Sequence, residues 1–432
     1  MPVRDVLRTA RRDPSRALVE LWSELRSKPE LRAFAVGAWQ EQDEYQEARY
    51  ACRAYLESRD WDVPRALTDE MALAVLEELD LELAGRRRGQ APFLREVRVP
   101  SGHYYVAPRP PGWWSAFRRQ PAQLQSWLHH HWVVPSKIGG YDVRFVQRRV
   151  RSDRRLWKAV QKGAVRVLVA GFQDGVAPDW QWRGDGPEEV FHADALDDEE
   201  LRWKYLARIL DDAHDARAHV VVLPELTIPN RLRERVRKWL REKRSVHLQL
   251  VVPGSFHVRR RREGGTVRFN AATLLDGHGT ALLHHDKLTQ LGWKGEEDRP
   301  HCCEGNAIGT RIDVLSTTLG AVAVPICLDF CQAGHPFPAL WEEIGVAWAL
   351  VPSMGDDTTV HAHERRARDT WTSHGQVTAV ANQPVRAGED EHSFGLVCPA
   401  SGRREVSAAS GALRTREGYL THLVTVSWPP TR

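Results

Sequence analysis

The 432-residue chain is too long for one average domain, so two domains are expected. Hydrophobic residues make up 42% of it, enough for real cores, and no apolar stretch reaches bilayer length, which excludes a spanning helix. Its 61 basic and 57 acidic residues leave a net charge of only +4, which makes no demand for a nucleic-acid partner.

The N-terminus, Met1-Pro2-Val3-Arg4-Asp5-Val6, has no apolar segment behind it. That argues against a secretory signal and for the cytoplasm. The 6 cysteines (Cys52, Cys302, Cys303, Cys327, Cys331 and Cys398) lack the spacing of a secreted scaffold, so reduced thiols are expected. An arginine-rich composition with 3 methionines points to a high-GC bacterial source.

The first stretch reads as helical. Leu18, Leu21, Trp22 and Leu25 recur at helical spacing, as do Met71, Leu73, Val75, Leu76 and Leu79. Thr68 or Asp69 is placed to cap the latter helix and Gly85 to end it, before an exposed Arg86-Arg87-Arg88-Gly89 connector. Residues 90–157 take no fold assignment. Pro108, Pro110, Pro111 and Gly112 interrupt regular structure there, and Trp113, Trp114, Phe117, Trp127 and Trp132 add large aromatics. The basic run from Arg148 to Arg155 bridges to the next domain, so the boundary is placed between 157 and 158.

From Val165 the pattern becomes regular. Arg166 to Gln173 reads as a strand, Glu199 to His214 as a helix, and Val220 to Leu223 as a strand ending near Glu225. A charged helix over Arg231–Lys243 and a strand over Leu248–Val252 follow. Two strands flank the Asp276-Gly277-His278-Gly279 turn. Further strands cover Gly320–Val324, Trp348–Val351 and Val377–Ala381, with a helix over His361–His374. Strands alternating with helices argue for a layered α/β domain.

Three of these strands end in reactive groups: Glu225, Lys287 and Cys327. A carboxylate, an ammonium and a thiol make a base, an oxyanion partner and a nucleophile. Each by itself is more simply a surface acid, a snorkelling lysine or a buried thiol.

Together they resemble the nitrilase superfamily of carbon–nitrogen hydrolases, over roughly residues 165 to 428. The motifs run in the family's order. They are Phe172-Gln173, Leu223-Pro224-Glu225-Leu226, Pro253-Gly254-Ser255-Phe256 with Phe269-Asn270-Ala271-Ala272, and His285-Asp286-Lys287-Leu288. Ile326-Cys327-Leu328-Asp329 follows, and then Glu364-Arg365-Arg366-Ala367-Arg368 with Val380-Ala381-Asn382. Leu328 stands where the family usually has an aromatic, and Pro325 sits where a strand N–H would be lost.

The resemblance implies a four-layer α-β-β-α sandwich over 158–432, preceded by a mainly helical extension over 1–157. It implies Cys327 as nucleophile, Glu225 as general base and acid, and Lys287 with the Leu328 N–H as oxyanion partners. Asp329 either holds the nucleophile turn or contacts substrate. The family's second glutamate has three competitors, Glu296, Glu297 and Glu304, of which Glu296 is included in the expected site. Cys-x-Asp favours an amide or carbamoyl substrate over a nitrile. No cofactor is implied, and a homodimer or higher oligomer is.

Some residues admit other readings. His301, Cys302, Cys303, Cys331 and His335 lack metal-ligand spacing, and His129-His130-His131 reads as a polar loop or packing, so no metal is expected. Arg259-Arg260-Arg261-Arg262 reads as a solvated hairpin turn. A second function stays open, a binding or regulatory module recruited through residues 1–157 to a protein partner in bacterial defence or signalling. No membrane partner is expected.

Overall fold

Apolar residues at helical spacing organise the first part of the chain. The computed structural model describes residues 3–28, 42–58, 71–85, 94–109, 124–147, 164–184, 189–262, 264–293, 302–317, 319–332, 337–384, 394–399 and 412–427. The chain divides into Met1–Ile138 with Glu343–Gly345, and Gly139–Glu342 with Val346–Arg432.

The first unit carries helices α1 (Val3–Arg12), α2 (Pro14–Ser27), α3 (Gln42–Glu57) and α4 (Ala72–Gly85). Asp13 caps α2 by accepting from Arg16 N at 3.0 Å, the role expected of an aspartate before a proline-led first turn. Leu18, Leu21, Trp22 and Leu25 pack into one core with Leu73, Val75, Leu76 and Leu79. The candidate caps Thr68 and Asp69 lie outside the described residues, as do Trp113, Trp114 and Phe117.

Part of the unassigned 90–157 stretch is β structure. Strands β1 (Arg95–Val99), β2 (Gly102–Pro108) and β3 (His131–Pro135) form an antiparallel sheet, and the two-residue β4 (Lys137–Ile138) follows. Helix α4 is buried from Ala72 to Asp80, so the acids of that stretch need partners. Asp80 accepts from His129 N, His130 N and His131 Nδ1 at 2.6, 2.8 and 2.7 Å. Glu77 meets His129 Nε2 at 3.1 Å, and Glu78 accepts from Arg49 and Arg53. The histidine run is therefore part of the packing of this unit.

The second unit holds the reactive residues, on two face-to-face sheets. The first runs β11-β12-β10-β9-β6-β22-β21. Its strands are β6 (Ala164–Phe172), β9 (Val220–Val222), β10 (Leu250–Val252), β11 (Ser255–Arg262), β12 (Gly265–Asp276), β21 (Ala412–Arg416) and β22 (Tyr419–Ser427), with β13 (Ala281–Asp286) paired to β12. The second sheet runs β20-β19-β18-β17-β16-β5. It comprises β5 (Tyr141–Gln147), β16 (Arg311–Thr317), β17 (Gly320–Ala323), β18 (Val346–Met354), β19 (Val377–Gln383) and β20 (Gly395–Cys398). A smaller sheet, β14-β15-β8-β7, joins β7 (Pro178–Arg183), β8 (Glu189–Leu196), β14 (Gly292–Trp293) and β15 (Cys302–Glu304).

Helices α5 (Glu199–Asp215) and α6 (Asn230–Lys243) cover the outer face of the first sheet, where Leu206, Ile209, Leu232 and Val236 meet Leu168, Val221 and Val251. The one-turn α7 (Leu328–Cys331), α8 (Phe337–Ile344) and α9 (Asp357–His374) belong to the other half, and α9 lies against β19 and β20. Strands β18 and β19 face β6 and β9 across the sandwich. The unit is thus a four-layer α-β-β-α sandwich. β18 is buried almost end to end, as befits a parallel strand covered on both faces.

Three sequence expectations change. β5 pairs in parallel with β16, Ile312 opposite Val143, so the second unit begins at Gly139 rather than 158. Arg259 to Arg262 lie on β11, paired with Arg268 to Gly265, rather than in the turn. Pro325 costs no ladder bond, because β17 ends at Ala323. Among the described residues no helix is long and apolar enough to cross a membrane.

Candidate active site

Glu225 follows β9 at the rim of the first sheet. Its N–H donates to Ser353 O at 3.1 Å, so the backbone ties it to the opposite sheet. The neighbouring Pro253-Gly254-Ser255 segment must approach closely. A Cβ on Gly254, at φ +65°, would sit 2.1 Å from Pro224 O, which leaves room only for glycine. Lys287 follows β13, with its N–H on Asn270 O at 2.8 Å.

Cys327 stands between β17 and α7 at φ +47°. A non-glycine residue there stores on the order of 1–3 kcal/mol of strain, which the surroundings must hold. They do so through Cys327 N donating to Pro352 O at 2.9 Å, and through Asp329. The Asp329 carboxylate is fully buried and accepts from Leu288 N at 3.0 Å, Thr289 Oγ1 at 3.0 Å and Ile326 N at 3.3 Å, with His285 Nε2 at 3.2 Å. It pins the Cys327 turn to the Lys287 segment. Of the two roles open to Asp329 in the sequence, these bonds support the turn-holding one.

The side chains of Glu225, Lys287, Glu304, Asn270 and Cys327 converge. Lys287 Nζ donates to Glu225 Oε1 and Glu304 Oε2, both at 2.8 Å. Asn270 Nδ2 donates to Glu225 Oε1 and Glu304 Oε1, both at 2.7 Å. Met354 N donates to Glu225 Oε2 at 3.1 Å, and the Cys327 thiol lies 3.8 Å from Met354 O. An ammonium has three N–H donors, and two are engaged among the described residues, which leaves one for a reacting oxygen. The Leu328 N–H makes no hydrogen bond among the described residues.

Of the three competing glutamates, Glu304 enters this cluster; Glu296 and Glu297 lie outside the described residues. His257 supports Glu304. Ala193 N donates to His257 Nδ1 at 2.9 Å, which places the ring proton on Nε2, 3.0 Å from Glu304 Oε1. His257 and Asn270 are cross-strand partners on β11 and β12, so one face delivers both groups to Glu304.

Charge and burial set the protonation states. Burial pushes Glu225 above its ordinary range, Lys287 opposes this, and Glu304 adds to it. Burial works against the Lys287 ammonium, yet Glu225 and Glu304 together hold its pKa well above the ordinary value. Burial also opposes ionisation of Glu304, but Lys287 and then His257 keep its carboxyl well below the usual range. Burial, then Glu225, push the Cys327 thiol well above its ordinary value, against Lys287 and a hydrogen bond from Ser353. The lowering by Lys287 is therefore outweighed, and the resting sulfur is a thiol that needs a base.

Cys302 is buried and Cys303 exposed on β15, while His301 and His335 lie outside the described residues. Among the described residues no three His, Cys, Asp or Glu side chains converge on a metal position. Sequence reasoning missed His257, Ser353 and Met354, whose contributions are contacts across strands or backbone groups.

Comparison with protein-family models gives no match, and neither does comparison with curated proteins. Solved structures do match. The C. elegans NitFhit protein is 15% identical over 61% of this chain and 61% of its own length, with a TM-score of 0.42. Saccharomyces cerevisiae Nit3, a member of branch 10 of the nitrilase superfamily, is 15% identical over 61% of this chain and 90% of its own, at 0.40. An amidase from Nesterenkonia sp. is 20% identical over 61% and 91%, at 0.39. This chain spans 61% of the length of the C. elegans protein.

Proposed function

We propose that this chain is a cysteine hydrolase of non-peptide C–N bonds, with an amide or carbamoyl group as substrate. The observation that carries the proposal is the convergence of Glu225, Lys287 and Glu304 beside a strained, buried Cys327. A packing role needs neither two carboxylates sharing one ammonium nor a cysteine at positive φ.

In this reading Glu225 takes the Cys327 proton as sulfur attacks the carbonyl carbon. Its raised pKa brings it nearer neutral pH, where a carboxyl group both accepts and returns protons. The free N–H of Lys287 and the Leu328 N–H meet the oxyanion. Collapse of the tetrahedral adduct expels the amine, which takes the proton from Glu225, and leaves a thioester on Cys327. Glu225 then deprotonates water, which attacks the thioester. The carboxylic product departs, and the proton on Glu225 returns to sulfur. Glu304 stays ionised throughout and keeps Lys287 cationic and oriented.

The preference for amide or carbamoyl over nitrile rests on the Cys327-Leu328-Asp329 sequence. The experiment is a screen for ammonia or amine release from amides, carbamoyl compounds and nitriles. Turnover of the first two classes, abolished in Cys327→Ala, supports the reading. Release from nitriles alone contradicts the preference, and no release from any class contradicts the reading.

A further inference from the structure

A second chain of polar groups, Ser353 and His363, reaches Cys327, and the mechanism above does not use it. Ser353, next to last in β18, places its Oγ 3.5 Å from Cys327 Sγ as donor. His363 Nε2 lies 3.0 Å from the same Oγ. His363 is fully buried on α9, a helix capped by Asp356 at one end and by Gly375 at φ +67° at the other. The imidazole stacks on Phe330, with centroids 5.9 Å apart and planes at 16°.

The protons have one consistent arrangement. Ser353 has a single hydroxyl hydrogen, and it points to sulfur. The hydroxyl oxygen then accepts from His363 Nε2–H, which leaves Nδ1 as a lone pair. Among the described residues His363 Nδ1 has no partner. A buried lone pair without a donor is more common than a buried N–H without an acceptor, so the unpaired Nδ1 suits this tautomer.

We infer that Ser353 and His363 are positioning residues for the proposed nucleophile, with His363 holding the Ser353 hydroxyl so that its hydrogen points at Cys327 sulfur as the thiol ionises. In the resting state the thiol faces the Met354 carbonyl at 3.8 Å and gains little from Ser353. Once the proton has gone to Glu225, that carbonyl repels the sulfur, whereas the Ser353 hydrogen bond becomes charge-assisted. The contact is stronger in the reacting state than in the ground state, which is what speeds a step.

The groups facing the sulfur are Glu225 and Cys331, which oppose the thiolate, and Lys287 and Ser353, which favour it. The groups facing His363 are Ser353, Phe330 and Cys331, whose Sγ lies 3.8 Å from Nε2. Burial depresses the imidazole pKa to about 3, so His363 orients the hydroxyl as a neutral ring and carries no charge of its own.

This inference rests on Cys327 being the proposed nucleophile, so its test reads the thiol without any substrate. Iodoacetamide alkylation of Cys327 is followed by mass spectrometry across pH in a Cys331→Ala background. Ser353→Ala is expected to shift the profile to higher pH and slow alkylation near neutrality about three- to tenfold. Ser353→Thr, which keeps the hydroxyl, should restore it. His363→Leu should shift the profile in the same direction, and His363→Gln, which keeps a donor near Nε2, should reverse most of that. Superimposable profiles for Ser353→Ala and the parent, or for His363→Gln and His363→Leu, would overturn the inference. Shifted profiles in a protein that hydrolyses nothing would sustain the Ser353–His363 role and sink the hydrolase reading. Hydrolysis with unshifted profiles would do the opposite.

Discussion

The backbone N–H of Met354 donates to Glu225 Oε2 at 3.1 Å, joining the end of β18 in one sheet to the carboxylate beyond β9 in the other. The same stretch of β18 accepts from Cys327 N through Pro352 O, and from Glu225 N through Ser353 O. Three successive residues thereby set Glu225 and Cys327 relative to one another. Main-chain bonds of this kind depend on strand position rather than side-chain identity, so they tolerate sequence change.

Cys327→Ala should abolish hydrolysis, by roughly four orders of magnitude or more, with the fold retained. The substitution keeps the backbone strain and removes only sulfur. Cys331→Ala should stay within a few-fold of the parent, because among the described residues the hydrogen bonds of Cys331 Sγ are long ones, to Cys327 O and His363 at 3.9 and 3.8 Å. Near-parental turnover in Cys327→Ala ends the nucleophile assignment. Loss in both would implicate the thiol pair.

Lys287→Met should destabilise the domain by about 3–5 kcal/mol, because it strands two buried carboxylates that share one cation. Glu225→Gln combined with Lys287→Met should recover part of that loss, since one stranded charge is gone. Urea midpoints of the single and double variants decide it. An additive double variant would mean that the two side chains do not interact.

Asp329→Ala should cost about 2–5 kcal/mol and lower turnover together with stability. It leaves Leu288 N, Thr289 Oγ1 and Ile326 N without their acceptor and releases the strained turn at Cys327. A variant with parental stability and a changed KM alone would make Asp329 a substrate contact instead.

Acid should weaken the fold through His363. Its folded-state pKa, about 3, lies below the ordinary 6.5, so unfolding takes up a proton in that interval. The contribution is complete above about pH 6.5 and is lost progressively as pH falls toward 3. Between pH 7 and 5 this one residue should remove on the order of 2 kcal/mol. Denaturation of the parent and of His363→Gln at both pH values isolates it. An equal pH dependence in the two proteins would show that His363 is not buried in neutral form.

A chain of residues 139–432 should be soluble and melt cooperatively, whereas one of residues 158–432 should melt lower and aggregate. The shorter chain lacks β5 and bares the edge of β16, and an unpaired strand edge is an aggregation site. Calorimetry and light scattering compare them. Identical behaviour would remove β5 from the domain's essential sheet.

Much of the sandwich was legible because its strands and helices are written in local period. Val220–Val222, Val346–Met354 and Asp357–His374 are found close to where apolar runs and helical spacing placed them. The β1–β2–β3 sheet was not, since Trp- and Pro-rich segments obscure its short strands, although β1 and β2 pair locally across the turn between Val99 and Gly102. β5 was missed for a different reason. Its partner, β16, is more than 150 residues away, and nothing local announces the pairing.

The sequence by itself determined which groups the chain carries: an acid, a cation and a thiol at the ends of apolar strands. Only the tertiary structure decided how those groups stand. That Glu304 shares Lys287 with Glu225, that Asp329 is spent on backbone N–H groups, and that the thiol is protonated at rest all follow from distances across two sheets and from the loss of water around buried charges. Neither quantity is a property of any segment. Each exists only once strands distant in sequence have packed together and excluded solvent.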